Sequence, residues 1–352
     1  MSAFGIYRLP YEDHFTLVEQ VTGMPKEFRS LSELNGQQGF VVAPFAVADP
    51  LPLLLIRADK VEQHSFSDDL SHACPLQQED HPSGSRMSYA IDFANYHSRL
   101  LAGDFQKIVL ARSAKVAQQI TNPFDLFRDA CQRYPRLFVC LVSTPQSGTW
   151  LVATPEILLS GDHGRWQTMA LAGTMKLEGE QLAFDTATSP ANLHIAWTDK
   201  NIQEQRYVAT YITECLEQFT SDFTEKGPYT TRAGNLVHLR SDFMFTLPDE
   251  QHLGDVLTAL HPTPAVCGLP KRTTFDFILS NEHTPRRYYS GFMGPLNMQC
   301  STHLYVSLRC MELLSDGYLL YAGGGLLPDS VEEQEWQETE AKMETMRNLL
   351  YI

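Results

Sequence analysis

Hydrophobic and polar positions alternate with a period of two along many short stretches of this chain, the pattern of strands that turn one face to a core. The strand candidates, many of which show this alternation, are residues 107–116, 136–143, 149–153, 157–160, 166–171, 236–239, 304–314 and 317–322. A helical spacing of three and four replaces it from Met87 to Ala102, where Gly103 supplies a stop, and again over 193–219, 273–280 and 331–350. Strands follow one another in runs rather than alternating strictly with helices. That predicts an α+β fold built on antiparallel sheets, not a doubly wound one. The polar stretch 65–86, rich in turn formers, predicts a loop between an N-terminal part of short strand-like runs, such as Gly39–Ala43, and the denser remainder. There is no internal repeat.

Several charges fall where this pattern wants apolar side chains. In the helix over 193–219, Leu193, Trp197, Val208, Tyr211 and Cys215 form an apolar stripe, and Glu204 lies on it. A carboxylate facing a core is costly unless it is paired, hydrogen-bonded or bound to a metal; at the edge of the stripe it simply reaches solvent. In the last helix Glu335, Glu338 and Lys342 follow at steps of three and four and share a face with Val331, Met346 and Leu349. Just before it, Gly323, Gly324 and Gly325 end a strand, where backbone could approach an anion closely or merely turn. The strand 303–310 places His303, Tyr305, Ser307 and Arg309 on one face, and such an Arg needs a carboxylate partner. Lys107 and Glu156 stand at strand ends, either poised against apolar surroundings or ordinary edge charges.

Composition narrows the classes. The chain has 352 residues, enough for one large domain or two of ordinary size. Lys and Arg number 27 against 42 Asp and Glu, a net charge of −15, which argues against nucleic acid and anionic membrane as partners. No stretch is apolar over the length of a membrane span, and the start, MSAFGIYRLPYEDHF, lacks the basic and apolar regions of a signal peptide, so the expected location is the cytoplasm. The seven cysteines form no CxxC pair and read as reduced core thiols, without a zinc site or a disulfide framework.

Eight segments then stand out as a set: FQKIVLAR from Phe105, ATPEILLS from Ala153, LAGT from Leu171, LVHL from Leu236, LHPTPAVCGLP from Leu260, RRYYSG from Arg286, AGGGL from Ala322 and EWQETEAK from Glu335. In this order and spacing they resemble the chorismate-utilising enzyme family, across residues 86–350, with 1–85 matching weakly. The resemblance implies one large domain over 1–352, with two antiparallel sheets packed face to face and helices outside. Within the family, enzymes that add water to the chorismate ring carry a Lys where Lys107 stands, whereas anthranilate synthases carry Gln. Aminodeoxychorismate synthases carry Lys in place of Ala172. The segment from His261 to Pro270 is similar to that of isochorismate synthases.

The resemblance therefore implies Mg²⁺-dependent conversion of chorismate to isochorismate, with salicylate synthesis and a non-catalytic chorismate-binding relative as competing readings; with the resemblance set aside, the same carboxylates would suit a metal-dependent hydrolase, though no compact His/Asp cluster accompanies them. The resemblance implies Lys107 as the base and Glu156 as the acid. Glu204 and Glu338 would be the metal ligands, with Glu335 close by. Gly173, Thr174, His238, Tyr289, Arg309, Gly323 and Lys342 would hold the substrate. Asn201 departs from the acidic residue usual at its position. No glutamine amidotransferase subunit is expected, and a monomer is.

Overall fold

The structure is a computed structural model that describes all residues except 1–2, 69, 71–73, 75, 77–83, 178, 180–194, 234–235, 248–249 and 351–352. Six strands come first: β1 (Ala3–Arg8), β2 (His14–Gln20), β3 (Lys26–Phe28), β4 (Gly39–Ala43), β5 (Leu53–Ile56) and β6 (Lys60–Ser65). Helix α1 (Arg86–Leu101), β7 (Lys107–Val116) and α2 (Pro123–Arg133) follow, then β8 (Phe138–Thr144), β9 (Gly148–Thr154), β10 (Ile157–Asp162) and β11 (Arg165–Lys176). Next come α3 (Asp199–Leu216), β12 (Phe223–Ala233), β13 (Leu236–Thr246), α4 (Leu253–Leu260), β14 (Gly268–Leu269) and α5 (Lys271–Asn281). The chain closes with β15 (Phe292–Leu296), β16 (Ser301–Val306), β17 (Cys310–Leu314), β18 (Gly317–Leu326) and α6 (Glu332–Leu350).

Among the described residues these strands build two nine-stranded sheets, in the orders β14-β7-β18-β17-β9-β8-β1-β2-β6 and β12-β13-β11-β10-β16-β15-β4-β5-β3. Every paired neighbour runs antiparallel. The sheets pack face to face: Phe138, Cys140, Val142 and Trp150 of the first meet Phe40, Val42, Leu54 and Met169 of the second in one buried cluster. The outer face of the second sheet is covered by α3 and α4, through Val208, Ile212 and Leu257. The outer face of the first is covered by α2 and α6, through Phe127, Met343 and Met346. The α+β class and the paired antiparallel sheets follow the expectation. The N-terminal strands are divided between the sheets, with β1, β2 and β6 in the first and β3, β4 and β5 in the second. Most of the polar stretch 65–86 lies outside the described residues.

The period-two run over 304–314 is two strands, not one. β16 belongs to the second sheet and β17 to the first, and the chain crosses between them at Ser307, Leu308 and Arg309. The turn is visible in the backbone: Leu308 N–H donates to Val306 O at 2.8 Å, and Arg309 takes a positive φ of 46°, uncommon for a non-glycine residue. Arg309 therefore does not share a strand face with Tyr305. A second crossing, from β9 to β10 through Pro155 and Glu156, runs beside the first. Val306 N–H donates to Glu156 O at 2.9 Å and Ala153 N–H to Arg309 O at 3.0 Å, so the two crossings are tied to each other.

The segment Arg286–Gly291 braces this corner. Ser290 N–H donates to Ser307 O and Ser307 N–H to Gly291 O, each at 2.9 Å. Both of its arginines are buried in structural pairs: Arg286 forks onto Glu282 and donates to the carbonyls of Val109 and Val266, while Arg287 donates to both oxygens of Glu312 at 2.5 and 2.7 Å. Replacing one member of a fully buried pair is costlier than never having had the pair. Glu312→Ala should accordingly destabilise the fold by about 3 kcal/mol. A urea midpoint equal to that of the unaltered protein would show that the Arg287–Glu312 pair contributes nothing.

Candidate active site

A cavity lies at this corner, between the paired crossings, the bulged end of β11, and β18. Glu156, Gly173, Thr174, Glu204, His238, Tyr289, Arg309, Gly323 and Lys342 all line it, against apolar walls from Val109, Leu171, Val266 and Tyr321. All seven expected substrate contacts thus share one cavity with the expected acid and one expected metal ligand. Lys107 stands one layer deeper. It is fully buried, with its amine against Glu204 at an Nζ–Oε1 distance of 3.0 Å, an ion pair without the angles of a directed hydrogen bond. Glu335 and Glu338 line an adjoining cleft between α3 and α6, which shares Thr174 with the cavity.

The glycines before α6 are not a loop that cradles an anion. β18 runs straight through them, paired with β7, and none has a positive φ. Their missing side chains make room for charged ones instead. A Cβ on Gly325 would fall 2.1 Å from Glu204 Oε1 and 2.9 Å from Lys107 Cε. On Gly324 it would meet Glu335 Oε2 at 3.3 Å and Glu338 Oε1 at 3.8 Å, and on Gly323 the Tyr289 hydroxyl at 2.8 Å. Gly323 turns its carbonyl to Lys342, which donates to it at 2.9 Å and to Glu338 Oε1 at 2.7 Å.

Gly173 does need its freedom. It sits at a register shift between β11 and β13 with φ +72°, where an L side chain is strained. The bulge lets its N–H donate to Glu204 Oε2 at 3.2 Å and brings it against Asn201. Helix α3 starts later than the periodicity predicts. Thr198 caps it by accepting from Asn201 N–H and donates to Asn201 Oδ1 at 2.7 Å, so Trp197 lies outside the helix and Leu193 outside the described residues. Asn201 is thereby occupied in the cap. Val331 likewise precedes α6 and is exposed, so it shares no buried face with Glu335.

The electrostatics divide the carboxyls. Burial pushes Glu156 up to about 8 against the opposing pull of Lys107, Lys342 and Arg309, so it keeps its proton at neutral pH. Burial works the same way on Glu204, but Lys107, Lys200 and Lys342 outweigh it and hold its carboxyl below the usual range. Burial and then the neighbouring Glu338 raise Glu335 to about 7, while Lys200 draws it back. Burial lowers Arg309 to about 10, still charged at neutral pH. Among the described residues no carboxylate lies within ion-pairing distance of Arg309, which answers the expected salt bridge in the negative. Its guanidinium donates instead to Thr345 Oγ1 at 3.2 Å and to His238 Nε2 at 2.8 Å.

That last bond fixes the state of His238. A guanidinium only donates, so Nε2 must accept; the ring proton then sits on Nδ1, facing Gly173 O at 3.2 Å and Thr174 Oγ1 at 3.3 Å. Burial, followed by Arg309 and Lys342, keeps the ring well below its ordinary value and neutral. His238 therefore lines the cavity as the residue that aims Arg309. Sequence patterning missed two participants: Thr345, which faces Arg309 from α6, and Lys200, which pairs with Glu335 across the cleft. Neither carries a signal, because each reads as an ordinary helix-surface residue.

Among the described residues no three carboxylate, imidazole or thiol side chains converge as a ready metal cluster. The donor set nevertheless fits Mg²⁺. That ion is bound through one or two protein carboxylates and otherwise keeps waters or takes substrate oxygens. Glu204, Glu335 and Glu338 all face the bare strip of Gly324 and Gly325, and Glu335 Oε2 is buried without a directed hydrogen bond.

Residues 54–351 match the family described as chorismate binding enzyme, and the chain belongs to that family. It is 30% identical over 279 residues to the salicylate biosynthesis isochorismate synthase of Pseudomonas aeruginosa, covering 78% of this chain and 56% of that protein. It is 29% identical over 328 residues to the isochorismate synthase DhbC of Bacillus subtilis, covering 87% and 76%. The chain thus spans little more than half the length of some of these relatives. The solved structure of MenF, the menaquinone-specific isochorismate synthase of Escherichia coli, superposes with a TM-score of 0.79 at 21% identity over 99% of this chain and 88% of that one.

Gly325→Ala tests the packing of the site directly. The added methyl must displace Glu204 and Lys107, whose positions are pinned by Gly173 N–H and by each other. Stability should fall by about 1–3 kcal/mol in thermal or urea unfolding, and a crystal structure of the variant should place the Lys107 amine away from Glu204. An unshifted pair would mean the glycine is there for another reason.

Proposed function

We propose that this protein is an isochorismate synthase that isomerises chorismate to isochorismate with Mg²⁺. What carries the reading is the buried Arg309 guanidinium, without a counter-carboxylate among the described residues, on the wall of a cavity that also holds a protonated carboxyl, Glu156. A buried cation lacking a partner anion favours an anionic ligand, and chorismate is a dianion. Arg309, with Lys342 and the Tyr289 hydroxyl, would hold the pyruvyl carboxylate. Gly173 and Thr174, which line the same cavity, would contact the ring carboxylate, and Gly323 would supply its N–H to the pyruvyl carboxylate.

The chemistry moves a hydroxyl without redox change. Water adds to C2, the ring double bonds shift, and the C4 hydroxyl leaves. Hydroxide is a poor leaving group and water a poor nucleophile, so an acid and a base are both required. Glu156 gives its proton to the departing oxygen, which leaves as water. Lys107 takes a proton from the attacking water, which requires its amine to be neutral and released from Glu204. When bound, Mg²⁺ would be held by Glu204 and Glu338, with Glu335 nearby, and would supply a hard positive centre for the ring carboxylate. We further place the enzyme in the cytoplasm, acting as a monomer without an amidotransferase subunit, because a reaction that adds water needs no ammonia donor.

Incubating the purified protein with chorismate and Mg²⁺ should yield isochorismate by chromatography. Salicylate with pyruvate would redirect the reading to a synthase that also eliminates, and unchanged chorismate would overturn it. Lys107→Ala and Glu156→Gln should each abolish turnover while leaving chorismate binding measurable. Arg309→Met should raise KM by about tenfold or more through loss of charge-assisted hydrogen bonds. Normal kinetics in any of these variants would remove the residue from its role. The sign of the pH dependence follows from the raised Glu156: the proton is present below about 8 and lost above it. Thus kcat/KM should fall as pH rises through about 8. A profile flat to about pH 10 would exclude Glu156 as the acid.

A further inference from the structure

Each of the three carboxylates assigned to the metal is matched by a lysine: Glu204 by Lys107, Glu338 by Lys342 and Glu335 by Lys200. Lys107 and Lys342 have other work in the site. Lys200 has none, since its one hydrogen bond among the described residues is to Glu335, across the cleft from α3 to α6. The Glu335 side chain is 1% exposed and that of Lys200 21%, so the ammonium closes the open side of a buried carboxylate. The other Glu335 oxygen faces Gly324 beside Glu338, the side from which a cation would be reached. Among the described residues no hydrogen bond joins the neighbouring Asn201 to Glu335, and Thr198 engages the Asn201 Oδ1 and backbone N–H.

We infer that Lys200 is a built-in competitor for the divalent cation: its ammonium neutralises Glu335 in the metal-free protein, and metal binding must displace it. The inference rests on the metal-site part of the proposed function and concerns only how tightly that site binds. A metal ion brought beside Glu335 and Glu338 is repelled by an ammonium already seated on Glu335, so the lysine lowers metal affinity while it ties α3 to α6 in the metal's absence.

The test is direct binding of the metal alone to the full chain, without chorismate, read by Mn²⁺ paramagnetic resonance and by Mg²⁺ calorimetry. Lys200→Met should bind both ions about fivefold more tightly or better, the lower end of usual coupling between sites. Lys200→Arg, which keeps the charge, should bind like the unaltered protein. In chelator, Lys200→Met should melt at lower temperature and gain more from added Mg²⁺ than the unaltered protein does. Lys200→Gln serves the same comparison should Lys200→Met fail to fold. Unchanged or weaker metal binding by the neutral variants would overturn the inference, because Lys200 would then be indifferent to the metal or supporting it. The outcome is separable from the proposed reaction. Tighter metal binding in a protein that leaves chorismate untouched would uphold the competitor and sink the reaction, and turnover with unaltered metal affinity would do the reverse.

Discussion

Charge compensation inside a desolvated corner is the constraint on which the site depends. A carboxylate or an ammonium taken from water into a protein interior is destabilising unless an opposite charge or several hydrogen bonds accompany it. Here the corner holds Lys107 and Glu156 almost without exposure, and Glu204 nearly so. Pairing each exposed-edge or buried carboxylate of the α3–α6 side with its own lysine makes that assembly affordable to the fold. It also decides which groups are left over. Once the pairs are made among the described residues, Arg309 remains as a cation hydrogen-bonded to neutral partners and Glu156 as an acid whose burial outweighs the pull of Lys107, Lys342 and Arg309, so that it keeps its proton. The state of each group follows from who its neighbours are, not from its residue type alone.

Backbone connectivity places those two leftover groups together. Glu156 and Arg309 both sit where the chain leaves one sheet for the other, and the two crossings bond to each other on either side of them. Sheet interiors leave little room for charge, because alternate residues point into one core or the other. A crossing interrupts that alternation and frees a residue to point sideways, into the gap between sheet ends. The metal-binding half of the site is built differently, from α3 and α6, and meets the strands only through side-chain-free positions on β18 and the bulge at Gly173. A rigid strand corner thus carries the acid and the guanidinium, while helices carry the carboxylates.

Much of this was legible in the sequence. Strand-like runs at β7, β9 and β10 register through their β-forming apolar residues, although β9 is buried on both faces between two cores, and helical spacing over α1, α5 and α6 registers because each helix buries one face. The charges out of place, Glu204, Glu335, Arg309 and Lys107, are the residues that the structure gathers at one corner. What failed did so for reasons that alternation cannot encode. The run over 304–314 keeps its apolar period across a change of sheet because Leu304 and Val306 face the core beneath α3 and α4, Cys310 and Leu314 face the core between the sheets, and Leu308 packs against both, so nothing in the pattern marks the turn at Leu308. The glycines of β18 resemble a loop because their cause lies on other elements: what forbids a Cβ at Gly325 is a glutamate far off in sequence. Lys200 was invisible since an i,i+4 Lys–Glu spacing with Glu204 describes countless solvated helices, whereas its actual partner is on another helix.

Tyr289, His238 and Lys342 extend the same logic to recognition. A chain with a net charge of −15 repels a dianion at long range, so attraction must come from a few cations in a low-dielectric recess, where field lines concentrate. Cations packed into one recess also repel one another, and His238 resolves part of that conflict by staying neutral. Its Nε2 lone pair accepts from Arg309 without adding charge, and its Nδ1 proton is taken by Gly173 O. Gly173 in turn donates its N–H to Glu204, so a single bulge links the residue that aims the guanidinium to the carboxylate that pairs with Lys107. The two ends of the substrate cavity are therefore linked through one residue, Gly173. The positive φ at Gly173, open to glycine, is the local condition that lets its carbonyl face the histidine while its amide faces the glutamate.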